Sequence, residues 1–162
     1  MAAVYIFLAL ILAMSLGHKL AAPDRLGAAA ARLAGVRPAT GPLLSFGAAA
    51  FEGVATLALL FEETRVVGAC LAAALWVAYA MLLWKRRGQT LDCGCSFGRR
   101  EKPVTASLAA RAAGLAAIAV TVTFFPTAPF EIESVFAGLG FLILYLALDE
   151  LLAIPQPAWR HG

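Results

Sequence analysis

The sequence predicts an all-α fold, a polytopic transmembrane helical bundle of four to five spans that makes a single domain of residues 1–162. Three observations predict it. Of the 162 residues, 62% are hydrophobic. Only 14% are charged, against about 25% in an ordinary soluble domain. Apolar stretches close to the ~20 residues that cross a hydrocarbon core recur along the whole chain.

The first span covers about residues 1–20. It is apolar through Gly17 and has no Lys or Arg at its start, so the charged leader of a secretory signal is missing; it closes on His18 and Lys19. Between it and the second span, Pro23, Asp24, Arg25, Arg32, Arg37 and Pro38 surround an alanine-rich centre, the pattern of a short interfacial helix. The second span, 42–61, is interrupted only by Glu52. After the turn Glu62-Glu63-Thr64-Arg65 comes the third, 66–84, ended by Lys85-Arg86-Arg87-Gly88. A polar loop with Asp92, Cys93, Gly94 and Cys95 leads to the fourth, 104–125, which Pro126 and Pro129 stop. The last run, 132–154, carries Asp149 and Glu150 near its end; its 23 residues suit a full span, the alternative being a shorter helix whose acidic end reaches water. Small residues such as Ala48-Ala49-Ala50 and Ala72-Ala73-Ala74 allow helix backbones to approach closely in lipid.

The formal net charge of +3 does not point to nucleic acid, because the basic residues flank apolar runs and form no stripe with interleaved aromatics. The lipid bilayer is the partner that the composition demands. With five spans, the first loop and the cysteine loop share one face and hold Lys19, Arg25, Arg32, Arg37, Lys85, Arg86, Arg87, Arg99, Arg100 and Lys102. The opposite face has only Arg65 among Glu62, Glu63, Glu131 and Glu133. By the positive-inside rule the cysteine loop is then cytoplasmic.

Cys93 and Cys95 are the candidate catalytic residues. A pair separated by one residue closes a small ring only if the backbone between them bends sharply, which Gly94 permits. Such a disulfide is strained and prone to exchange. Arg99, Arg100 and Lys102 favour thiolate, and Asp92 opposes it. Two ordinary loop thiols and part of a metal site remain the other readings of the same spacing; no metal site is assigned. Cys70, among Val, Ala and Leu in the third span, reads as core packing. Glu52, mid-span, requires a partner or a wet cavity, and Arg111, about 10 Å into the fourth span from the cysteine-loop side, is the partner expected for it. With His18 and Lys19 on that same side, these charges imply a polar cavity beneath the cysteine loop, or else an intramembrane ion pair that only fixes helix packing.

Lys19 closing the first span, Glu52 in the second, Lys85-Arg86-Arg87-Gly88, Asp92-Cys93-Gly94-Cys95 and Arg111 together resemble the MauE family of methylamine-utilisation membrane proteins, related in organisation to the DoxX-like proteins. The Asp-Cys-Gly-Cys-Phe-Gly form common in that family has one extra residue here, Ser96 before Phe97-Gly98. The resemblance implies a multi-pass protein of the bacterial inner (cytoplasmic) membrane that supports maturation of the disulfide-rich small subunit of methylamine dehydrogenase, with a thioredoxin-like MauD-type protein as partner. Catalytic work then falls to Cys93 and Cys95, with Glu52, Arg111, Lys19, His18 and Asp92 in support. The architecture is also similar to vitamin K epoxide reductase and DsbB, which pass electrons to quinones. A quinone is therefore the one cofactor this likeness admits, and no residue fixes one. That likeness places the cysteines on the periplasmic face, against the charge count. Two function classes follow: a membrane thiol–disulfide oxidoreductase, and a non-catalytic scaffold or escort for the same partner or subunit. A small transporter, resting on Glu52 and Arg111 alone, has no internal repeat to support it.

Overall fold

A computed structural model describes residues 1–91, 102–127 and 129–153. Six α-helices form an all-α bundle: α1 (Ala2–Ala21), α2 (Pro23–Ala34), α3 (Gly41–Leu60), α4 (Arg65–Lys85), α5 (Ala106–Val122) and α6 (Ile132–Ala153). Four of them, α1, α3, α4 and α6, are long and apolar enough to cross a membrane. The fifth apolar helix, α5, has 17 residues and so runs about 25 Å. It is shorter than the apolar run 104–125 that contains it. Val104 is spent on the neck of the preceding loop, and Thr123 to Phe125 turn back on the carbonyls of Val120 to Val122.

The helix ends follow from local chemistry. Pro23 occupies the first turn of α2, where a missing N–H costs nothing, and Ala22 before it leaves the helical region at φ −141°, which separates α2 from α1. Gly35 ends α2 at φ +73°, and the N–H groups of Gly35 and Val36 both return to the Ala31 carbonyl. The Arg86 guanidinium lies where a Gly35 side chain would stand, and its Nε donates to the Leu33 carbonyl at 3.3 Å. The end of α4 is thereby tied to the end of α2. Gly41 meets Gly27 so closely that a Cβ at Gly41 would overlap the Gly27 carbonyl, and this is where α2 lies down on α3.

The spanning helices α1, α3, α4 and α5 pack antiparallel in sequence order, whereas α6 returns to lie parallel to α1. α3 rests on α1, α2 and α4; α4 packs along α5; α6 packs on α1 alone. The central core joins Tyr5, Leu8 and Leu12 of α1 to Leu59 of α3, Trp76 of α4 and Leu115 of α5. Only 6% of the span of α6 is buried, against 28–33% for α1, α3 and α4, which makes α6 the peripheral helix. Between α4 and α5 the chain makes a narrow neck. Gly88 N–H donates to Val104 O (2.9 Å), Val104 N–H to Gln89 O (2.8 Å), and strand β1 (Thr90–Leu91) pairs antiparallel with β2 (Lys102–Pro103). At the opposite end of the bundle Tyr5 donates to the Val122 carbonyl, and the buried Arg65 guanidinium stacks 3.7 Å above the Phe130 ring.

The sequence reading assigned Cys70 to the core; the structure corrects this. Its side chain is exposed on α4, facing away from the bundle. A helix with lipid on one side and alanine-rich core on the other is apolar on both, so composition could not say which face turned inward.

A polar cavity with two ion pairs

Both interior ion pairs lie toward the end of the bundle at which α4 leads into the cysteine loop. On α1, Ser15 and Lys19 are one turn apart and share a face. On α3, Glu52 is fully buried. Side chains lean toward the N-terminus of their helix. In the antiparallel α1/α3 pair, Lys19 therefore reaches inward from the membrane surface while Glu52 reaches outward from mid-span, and the two meet. Lys19 Nζ lies 2.7 Å from Glu52 Oε1 and 2.9 Å from Oε2. Ser15 Oγ donates to Oε1 at 2.8 Å and receives a bond from Lys19 Nζ at 2.8 Å; Tyr79 of α4 donates its hydroxyl to Oε1 at 3.1 Å. The carboxylate on α3 thus has donors from two other helices, α1 and α4.

Arg111 does not pair with Glu52, contrary to the expectation from sequence. α3 and α5 are not neighbours. Arg111 turns instead to α6, where it forms an ion pair with Asp149 and donates through Nη2 to the Tyr145 hydroxyl at 2.9 Å. Its guanidinium carbon lies 5.0 Å from the Tyr145 ring centroid. Asp149 is turned inward by this pairing.

A cavity of about 100 Å³ lies between the two pairs, enclosed by one face each of α1, α4, α5 and α6. Its polar lining is Ser15, His18, Tyr79, Arg111, Tyr145 and Asp149; its apolar lining includes Met14, Trp76 and Leu115. Glu52 is not on the wall itself but is one hydrogen bond behind it, through Ser15 and Tyr79. Of the site residues read from sequence, the structure brings Lys19 and Glu52 into direct contact and puts His18 and Arg111 on the cavity. Asp92, Cys93 and Cys95 lie outside the described residues. Ser15, Tyr79, Tyr145 and Asp149 were missed as site residues. Their signal was helical spacing: Ser15 is four residues before Lys19, and Tyr145 four before Asp149, each a polar pair on one face of an apolar helix.

Fold and site together define a polytopic α-helical membrane protein with a small, mostly apolar chamber that carries a few polar groups and lies between two interhelical ion pairs. Residues 1–125 match the family model described as Methylamine utilisation protein MauE, and the chain belongs to that family. Membership gives it a role in methylamine utilisation. No curated protein and no solved structure matches the chain. The matched residues include Lys19, Glu52, Cys93, Cys95 and Arg111, whereas α6 with Tyr145 and Asp149 lies beyond them.

Proposed function

We propose that this protein is the inner-membrane component of a thiol–disulfide exchange that supports maturation of the disulfide-rich methylamine dehydrogenase small subunit, working with a thioredoxin-like MauD-type partner. The observation that supports this reading most is the pair of interior ion pairs beside a small chamber, toward the end of the bundle at which α4 leads into the loop with Cys93-Gly94-Cys95 in the sequence. Chambers of this kind are expensive in lipid and are kept where chemistry uses them. The loop holding the pair leaves and re-enters the bundle through the ladder of Thr90–Leu91 with Lys102–Pro103, two residues before Cys93.

In the exchange, the thiolate of one cysteine attacks a sulfur of the partner's disulfide, forms a mixed disulfide and expels the partner's other thiolate. The second cysteine then resolves the mixed disulfide. The chain is oxidised to Cys93–Cys95, the partner is reduced to a dithiol, and two electrons and two protons have changed hands; the reverse direction uses the same steps. Arg111 lines the chamber, and the Lys19–Glu52 pair stands behind its wall, joined to it through Ser15.

The test is complementation of methylamine-dependent growth together with an assay of active dehydrogenase. Cys93→Ala and Cys95→Ala should each insert at normal levels and lose maturation, with the small subunit accumulating in reduced or mispaired form. Normal maturation by the double variant rules out the exchange and leaves the escort role.

A further inference from the structure

α6 is held differently from every other span. It lies on α1 alone, along a line from Gly138, where a Cβ would overlap the Ile6 side chain, to the edge-on contacts of Phe7 with Phe141 and Tyr145 at 6.2 and 6.0 Å. Just before its start, Phe130 is pinned beneath the buried Arg65 guanidinium. Toward α5 the helix has no backbone packing, and the two are joined across the seam by Arg111, which reaches Asp149 and Tyr145.

That seam is a wall of the chamber. Leu108 and Arg111 on α5, and Leu142, Leu146 and Asp149 on α6, line the chamber and are partly exposed, whereas Trp76 and Leu83, at its back on α4, are each only 5% exposed. Leu142 is the eleventh of the 22 residues of α6, about 16 Å from its end, so the seam extends to the depth of acyl chains. In water the leucines would close such a seam by themselves. In a bilayer they gain little by leaving lipid, because lipid tails are as apolar as leucine. The interaction that acyl chains cannot replace is the charged pair of Arg111 and Asp149 with the Tyr145 hydroxyl beside it.

We propose that α6 is a lateral gate: a door hung on α1 and latched to α5 by Arg111–Asp149, which when unlatched opens the chamber to apolar molecules from the bilayer. Opening rolls α6 on its line of contact with α1 and is widest at the latch, since the other end of the helix is held through Phe130. The mostly apolar lining accepts a methylene chain or an apolar ring without stripping water from it. The gate is independent of the cysteine chemistry.

Trp76, at the back of the chamber, reports its state. In the full chain carrying Trp84→Phe and Trp159→Phe it is the only tryptophan. The protein is reconstituted into vesicles of dioleoylphosphatidylcholine or of its analogue brominated at mid-chain, whose bromines quench a tryptophan that they can touch. Quenching of Trp76 should be low in this background. Asp149→Lys sets two cations face to face across the seam, should move the closed-to-open ratio on the order of 100-fold toward open, and should raise the quenched fraction about twofold or more. With the three native cysteines replaced by alanine, Arg111→Cys/Asp149→Cys should be quenched like Asp149→Lys, and joining the two thiols with a short bifunctional thiosulfonate should return quenching to the background level. Gly41→Ala, which loosens α2 instead, should leave Trp76 protected. Unchanged quenching in Asp149→Lys, or quenching that stays high after the link is made, overturns the latch. A background already as quenched as Asp149→Lys overturns the closed door, and an equal rise in Gly41→Ala shows general loosening and overturns the gate.

Discussion

Replacing Lys19 with Met removes the only cation within salt-bridge distance of Glu52 among the described residues while keeping the side chain's length and apolar stem. Glu52 has no exposed surface, so water cannot take over; the hydroxyls of Ser15 and Tyr79 are what remain. Breaking a buried pair from one side costs about 3–5 kcal/mol, because the surviving charge stays buried. Two remaining hydrogen bonds to a charged acceptor offset part of that, so about 3 kcal/mol is expected for Lys19→Met. Glu52→Gln is milder, about 1–2 kcal/mol, because the amide still accepts from the same donors and Lys19, with its side chain 16% exposed, can extend toward the membrane surface. The double variant Lys19→Met/Glu52→Leu strands no charge and should lie within about 1 kcal/mol of wild type, since replacing both partners of a buried pair is often neutral. Unfolding in mixed micelles with rising denaturing detergent, followed by tryptophan fluorescence, gives the four free energies of the cycle. A loss below about 1 kcal/mol in Lys19→Met, or a double variant as unstable as the worse single one, would refute the pairing as the element that holds α1 to α3.

Two further predictions concern helix contacts. Asp149→Asn should loosen α6, which packs on α1 alone and is joined to α5 by the Arg111 pair. The cost should be smaller than for Lys19, about 1–2 kcal/mol, because both side chains are 19% exposed, and hydrogen exchange should quicken in α6 before any other span. Gly41→Ala sets a methyl group against the Gly27 backbone carbonyl, which cannot move as a side chain does. It should lift α2 off α3 at a cost of about 1–3 kcal/mol, and it should expose Arg25 and Arg32 to limited trypsin digestion, whereas Gly47→Ala, where a Cβ meets nothing, should leave both protected.

The sequence by itself determined the class of fold, the short helix between the first two spans and which charged residues had to be explained. These follow from the length of apolar runs and from the places where proline, glycine and charge interrupt them. It also carried the family, through residues spread over the first four spans. It could not determine who pairs with whom. Glu52 and Arg111 stand at similar depths and have opposite charge, so depth alone made them partners. The partner of a buried charge depends on which helices are adjacent and on the lean of side chains toward their own N-termini, which brings residues together across antiparallel neighbours. α3 neighbours α1 and α5 does not neighbour α3, so Glu52 went to Lys19 and Arg111 to Asp149. The outward face of Cys70 was hidden for a related reason. In lipid the outside of a helix is as apolar as the inside, so the amphipathic pattern that orients helices in water is erased, and only close packing decides which side is buried.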